Sequence, residues 1–123
     1  GSDMIKFGPK SQLTADVLNW GEYYTRRVKA ALAGTWKSTD TWGGLNDGMM
    51  TMARYTNMSA DVKKVAEEAE AAIRAGKLKV FKCPVINQDG ETVPCQGGDQ
   101  LGAGQIRGMN WFVKGVDTKI PGK

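Results

Sequence analysis

Leu13-Thr14-Ala15-Asp16-Val17-Leu18-Asn19-Trp20-Gly21 is the stretch on which the fold of this chain turns. Leu13 to Asn19 is a short apolar-rich run that reads as a strand. From about Gly21 the period changes, and Tyr24, Val28, Ala31 and Leu32 fall on one helical face up to Ala33. Gly34 stops that helix. With the elements that follow, the order strand, helix, strands, helix, hairpin, strand is α/β in character. Upstream, Gly8-Pro9 break any helix, so residues 1–12 read as loop. Downstream, Thr39 to Leu45 is β-like, with Trp42 able to pack on a sheet. Met49 to Tyr55 reads as a further short strand after the Asn46-Asp47-Gly48 turn.

A second helix is expected from Ala60 to Ala75. Ser59 is a good N-cap, Val62, Val65, Ala66, Ala69, Ala72 and Ile73 form the apolar stripe, and Gly76 ends it. Glu70 and Arg74 pair in the favoured orientation, and the charge run is a solvated face. Short strands around Leu78–Phe81, a hairpin, a glycine-rich loop from Gly97 to Gly104 and an apolar stretch at Met109–Val113 follow. The tail from Thr118 to Lys123 is expected to fray. No repeat and no domain boundary shows. The parallel strand and helix units are too few to close a doubly wound sheet alone, which predicts a piece of a larger α/β protein.

Cys83 and Cys95 flank the hairpin signal Pro84-Val85-Ile86-Asn87-Gln88-Asp89-Gly90-Glu91-Thr92-Val93-Pro94. With Gln88-Asp89-Gly90 as the loop and Gly90 in the left-handed position, Asn87 closes opposite Glu91, Val85 faces Val93 and Cys83 faces Cys95. Pro84 and Pro94 then share a non-hydrogen-bonded pair, where a missing N–H does no harm. Directly opposed residues at a hydrogen-bonded pair lie about 5.5 Å apart, within disulfide range. A Cys83–Cys95 disulfide is expected in an oxidising compartment, worth about 3 kcal/mol in the chain-entropy model, and two free thiols in the cytosol.

At 123 residues the chain has a one-domain length, and 41% hydrophobic with 24% charged residues argue against disorder. The net charge of +4 is spread among acids, without the one-faced basic patch that nucleic acid requires. There is no histidine, hence no imidazole base, and two thiolates alone are half a zinc site. No phosphate loop ending in Gly-Lys-Ser/Thr occurs, and Gly102-Ala103-Gly104 lacks the third glycine and following helix of a nucleotide loop. Asp89 and Glu91 sit on an exposed hairpin tip, where no desolvation tunes a carboxylate for catalysis. The chain is therefore not read as an enzyme, and no cofactor or metal is expected. No run of apolar residues is long enough to span a membrane, and no signal peptide is visible.

The order of several small motifs carries further. Gly1-Ser2-Asp3-Met4, Phe7-Gly8-Pro9-Lys10, the run from Leu13 to Gly21, Gly34-Thr35-Trp36-Lys37 and Trp42-Gly43-Gly44-Leu45 together resemble the last third of the basic membrane protein (BMP) family of solute-binding proteins, which serve ABC importers. The resemblance runs over nearly the whole chain and contains no catalytic signature. It implies a partial type I periplasmic-binding-protein fold: the C-terminal third of a bilobal protein, with two main helices, short strands and one hairpin. Residues 1–123 would be a segment of that protein rather than a complete domain. The implied partners are a small purine-like ligand, an ABC transporter permease and the remainder of the same protein. The implied location is the periplasm or cell exterior, with the full-length protein anchored as a lipoprotein.

The resemblance also points to residues. Ser2-Asp3-Met4 matches the family's Asp-Ser-Asp stretch at the cleft edge, so Asp3 is a candidate acceptor for ribose hydroxyls or a base edge. Its other reading is a turn or capping aspartate. Gly1 stands where the family often has the first aspartate. Leu18 stands where nucleoside-binding members carry a lysine that reaches the ribose, which leaves a free purine base or another small polar solute more open. Trp20 either stacks on a planar ligand or packs as a helix-start core residue. Asn19 can donate and accept at once, although a helix cap is its preferred reading. Trp36 and Trp42 read as packing. One third of a bilobal protein cannot supply both walls of a cleft, so alone it is expected to bind weakly or not at all. The rival reading is a self-contained basic module that binds protein or nucleic acid through its tryptophan-bearing surface. The ordered matches and scattered charge favour the first, with no nucleic acid expected.

Overall fold

The computed structural model describes residues 1–96, 98–118 and 120. Its elements are β1 (Asp16–Leu18), α1 (Trp20–Leu32), β2 (Met50–Met52), α2 (Ala60–Arg74), β3 (Val85–Ile86), β4 (Thr92–Val93) and α3 (Ala103–Arg107). Where the sequence shows no boundary, the chain divides into two compact units, Gly1–Leu78 and Lys79–Lys123.

In the first unit β1 pairs antiparallel with β2, with Val17 opposite Thr51. The pairing runs well past these short strands. Asn19 N–H reaches Met49 O (2.9 Å), Ala53 N–H reaches Ala15 O (2.8 Å) and Thr56 N–H reaches Leu13 O (2.7 Å). The hydroxyls of Thr14 and Thr56 add bonds to Ala53 O (2.9 Å) and Gln12 O (2.7 Å). The ribbon thus spans the whole of both predicted strands, Leu13 to Asn19 and Met49 to Tyr55.

Both helices stop where their glycines require. Gly34 (φ +68°) and Gly76 (φ +67°) occupy left-handed positions. Each N–H bonds back to the helix, Gly34 to Ala31 O and Gly76 to Ile73 O. The next residues, Thr35 and Lys77, reach Ala30 O and Ala72 O. This is the paired Schellman pattern. Ser59 caps α2 through its Oγ, which accepts from Val62 N–H (3.4 Å). Glu70 pairs with Arg74 at 2.8 Å and also accepts from the Tyr55 hydroxyl (2.9 Å), which ties α2 to the chain after β2.

The apolar helix faces depart from expectation. α1 presents Tyr23, Arg27 and Ala30 as half-buried residues, while Tyr24, Val28, Ala31 and Leu32, the residues whose spacing marks one helical face, are exposed. On α2, Ala66, Ala69, Ala72 and Ile73 are half-buried, whereas Val62 and Val65 are exposed. Neither helix holds a fully buried residue.

The stretch Thr39–Leu45 is not a strand. Arg27 draws the chain before it toward α1, donating to Lys37 O (2.7 Å) and Thr39 Oγ1 (3.4 Å) with its guanidinium over the Trp36 ring. After it, a turn centred on Asp47 takes over.

In the second unit the hairpin has the predicted register, Val85 opposite Val93 and Ile86 opposite Thr92, with Asn87 N–H on Glu91 O and Gly90 at φ +85°. Asn87 is buried and locks the turn. Its Oδ1 accepts from Asp89 and Glu91 N–H, and its Nδ2 donates to Glu91 Oε2. The ladder does not continue to the cysteines, because Cys83 N–H goes to Asp99 O (2.9 Å). The sulfurs of Cys83 and Cys95 nevertheless meet at bonding distance, with Cα atoms 6.4 Å apart.

The predicted strand at Leu78–Phe81 is also absent. Instead Phe81 and Cys83 bond to Leu101 and Asp99 across a Lys82–Gln100 bridge, which Lys79 and Asp99 reinforce as an ion pair. Phe112–Lys114 lies against the hairpin through Gln88 N–H to Phe112 O and Lys114 N–H to Ile86 O.

Within the predicted glycine-rich loop, α3 follows Gly102 directly, so the helix judged missing there is present. Gln105 holds it, accepting from Gly102 and Gln96 N–H and donating to Pro94 O (2.7 Å). Gly97 of that loop, and Lys119 and residues 121–123 of the tail expected to fray, lie outside the described residues. Among the described residues the buried apolar side chains are Val85 and Leu101.

Candidate functional site

Asp3 is exposed and committed to its own turn. Its Oδ1 accepts from Gln12 Nε2 (2.7 Å) and from Ile5 N–H (3.0 Å). The Gln12 amide, and after it the Ile5 N–H, hold the carboxyl below the usual aspartate range. This is the geometry of the turn-forming reading. The backbone nitrogen of Gly1 lies 3.2 Å from the Asp16 carboxylate, which sets the N-terminal segment beside β1.

Asn19 sits at the β1–α1 junction. It occupies the N-cap position of α1 but makes no side-chain cap bond, contrary to the preferred reading. Two carbonyls draw it to the other strand: its backbone N–H donates to Met49 O (2.9 Å) and its Nδ2 to Gly48 O (3.2 Å). A carbonyl oxygen only accepts, so the amide nitrogen must face Gly48 and Oδ1 must face elsewhere. Asn19 also lines an open depression of about 470 Å³ with Gly21, Glu22, Thr25 and Arg26. Arg26 pairs with Glu22 (3.8 Å) and reaches Met49 Sδ, while Thr25 Oγ1 turns back to Gly21 O (2.9 Å).

Trp20 is 45% exposed and so is not a core residue of the described chain. Its ring stacks on Tyr24 (centroids 5.7 Å, planes 23° apart) and meets Tyr23 edge-on at 5.8 Å. One helix turn thus carries a cluster of three rings next to Asn19. Asn19 and Trp20 are neighbours at the start of α1, but Trp20 is not among the residues that line the depression at Asn19, and Asp3 is anchored separately to Gln12.

A second open depression, about 480 Å³, is lined by residues 52–56 with Lys63, Glu67 and Glu70. Tyr55 within it is pushed up by burial first and then by its bond to Glu70. Sequence reasoning missed both Arg26 and Asp47 as contributors near Asn19. The Asn46-Asp47-Gly48 turn was legible, but the residue it grips lies 29 positions away from Gly48. Among the described residues there is no cluster of His, Cys, Asp and Glu able to hold a metal ion, and no helix long and apolar enough to cross a membrane.

No protein-family profile matches the chain. A search of characterised proteins finds 50% identity over 120 residues with a protein from Brucella abortus named as a purine-binding protein. The aligned residues are 98% of this chain and 34% of that protein. The chain is similar to part of a purine-binding protein. A second relative, from Haloferax volcanii and provisionally named an ABC transporter glucose-binding protein, is 25% identical over 119 residues, 96% of this chain and 28% of its own length. The chain therefore spans about a third of the length of these relatives or less. Both are named for binding, and neither is named as an enzyme.

Proposed function

We propose that this chain forms part of one wall of the solute cleft of an ABC importer's binding protein, and that the solute is a purine base, nucleoside or similar small polar compound. The carrying observation is the 50% identity to a purine-binding protein across 98% of the chain. Asn19 at an open depression and the exposed ring of the next residue, Trp20, support it, since an amide and an aromatic face suit a flat heterocycle with polar edges. Asp3, held in its own turn by Gln12 and Ile5, is the third candidate contact of this wall, and the second lobe closes over the ligand. The parent fold is the bilobal type I architecture of the basic membrane protein family, of which these residues are an incomplete domain.

The exposed apolar faces support the incompleteness. Val28 and Leu32 on α1, with Val62 and Val65 on α2, would each gain about 1–2.5 kcal/mol on losing the exposure they retain, and Tyr24 shares the exposed face of α1. The remainder of the protein supplies that cover. The parent protein works outside the cytoplasm, anchored by lipid, where Cys83 and Cys95 form a disulfide. Its other partner is the importer's permease.

The test is mass spectrometry of small molecules released from the full-length native protein, followed by calorimetry with adenine, hypoxanthine and adenosine. Release and saturable binding of a purine is the expected result. Salt-sensitive binding of mixed oligonucleotides with no purine response would replace this reading with the basic-module one.

A further inference from the structure

We propose that Asp47 is the positioning residue of this site: it builds the turn that grips Asn19 and holds Asn19 Oδ1 out as a fixed acceptor for an N–H donor on the ligand. This rests on the reading that Asn19 contacts the solute. Asp47 Oδ1 accepts from Gly44 N–H (3.0 Å) and from Met49 N–H (3.0 Å), closing the turn from both sides. Met50 N–H returns to Gly44 O (3.1 Å). The turn is closely fitted. A Cβ on Gly43 would lie 2.7 Å from one Asp47 carboxylate oxygen and 2.5 Å from Met49 Cγ, and Gly48 has φ +79°. What it delivers is two neighbouring carbonyls, Gly48 O and Met49 O, each taking one N–H of Asn19. A helix-start asparagine would ordinarily turn its side-chain oxygen onto the first-turn N–H groups. Gripped at its nitrogen by the turn, Asn19 makes no side-chain cap bond, which keeps its oxygen off the first-turn N–H groups at a residue that lines the open depression. The preferred ligand edge is then one that donates, such as an exocyclic amine or a ring N–H.

The experiment uses the full-length protein with adenine as probe and the Asn19 side-chain NH₂ resonances as a second readout. Asp47→Ala removes the acceptor, and Asp47→Asn keeps one. Asp47→Ala is expected to shift the Asn19 NH₂ signals and weaken adenine binding about tenfold, and Asp47→Asn to return the signals toward their original positions and the affinity to within about threefold. Gly43→Ala, which crowds the same carboxylate, should move the Asn19 signals as well, and it serves if Asp47→Ala does not fold. Unmoved Asn19 signals in Asp47→Ala or Gly43→Ala would overturn the positioning role. Shifted signals with adenine affinity unchanged would overturn its link to the ligand. Asn19→Ala separates the two failures: if it too leaves adenine binding intact, the reading of Asn19 as a contact is what has failed.

Discussion

Leu32→Ala in the full-length protein is a direct test of whether this chain is part of a larger core. Leu32 ends α1 and is 84% exposed, on the face that carries Tyr24 and Val28. Were that face truly open to solvent, truncation would fall within about 0.5 kcal/mol, with helix propensity slightly favouring alanine. If the rest of the protein covers it, truncation loses both transfer energy and packing, about 2–5 kcal/mol. The two outcomes differ enough for urea denaturation to separate them at a common slope. Leu101→Ala calibrates the measurement, since Leu101 is 1% exposed and should cost about 2–5 kcal/mol in either case. A loss for Leu101→Ala with none for Leu32→Ala or Val65→Ala would refute the covered-face argument and make these helices true surface elements.

Three further outcomes are expected. Replacing Cys83 and Cys95 by serine should cost about 3 kcal/mol in stability, and the native protein should gain 2 Da on reduction, about the mass of two hydrogens; native protein that already titrates two free thiols would contradict it. Asp3 should titrate below 3.8 by carbonyl-detected NMR, since the Gln12 amide favours its charged form, and Gln12→Ala should raise the midpoint. Its contribution to stability is accordingly present above pH 3.8 and lost as pH falls through the lower folded value; a midpoint at or above 3.8 would sink the assignment. Asn87→Ala should lower the melting temperature by removing a buried amide that makes three hydrogen bonds, at a cost of about 1–3 kcal/mol, and Asn87→Asp should not rescue it, because the oxygen that replaces Nδ2 would face Glu91 Oε2.

Local rules were enough wherever both partners of an interaction lie within a few residues. The hairpin register followed from strand alternation and the left-handed need at Gly90, and the ends of α1 and α2 followed from Gly34 and Gly76. They failed where a distant group outbid them. Thr39–Leu45 has strand-like composition, but Arg27 and Asp47 claim the chain on either side of it. Gly102-Ala103-Gly104 has poor helix propensity, yet the side chain of Gln105 ties Pro94, Gln96 and Gly102 together around α3. Cys83 faces Cys95 as alternation requires, but its backbone is taken by Asp99, so the sulfurs meet without a ladder rung between them.

The same contrast governs the site. Asn19 and Trp20 became candidates through the family resemblance of the run that carries them, and the structure places them at the β1–α1 junction. The state of Asn19 was not legible, since capping is decided within one helical turn and its actual partner is contributed from Gly48, across the ribbon. Periodicity likewise revealed an apolar face on α1 but carried no information on what meets it. An amphipathic helix shows that burial is required, and only the surrounding chain shows where it comes from. With Val28 58% and Leu32 84% exposed, the requirement is written in the sequence and left unmet by the residues described. An apolar face of this kind stays exposed at a cost in solubility unless something covers it, which is why its covering by the remainder of a longer protein is the economical physical reading.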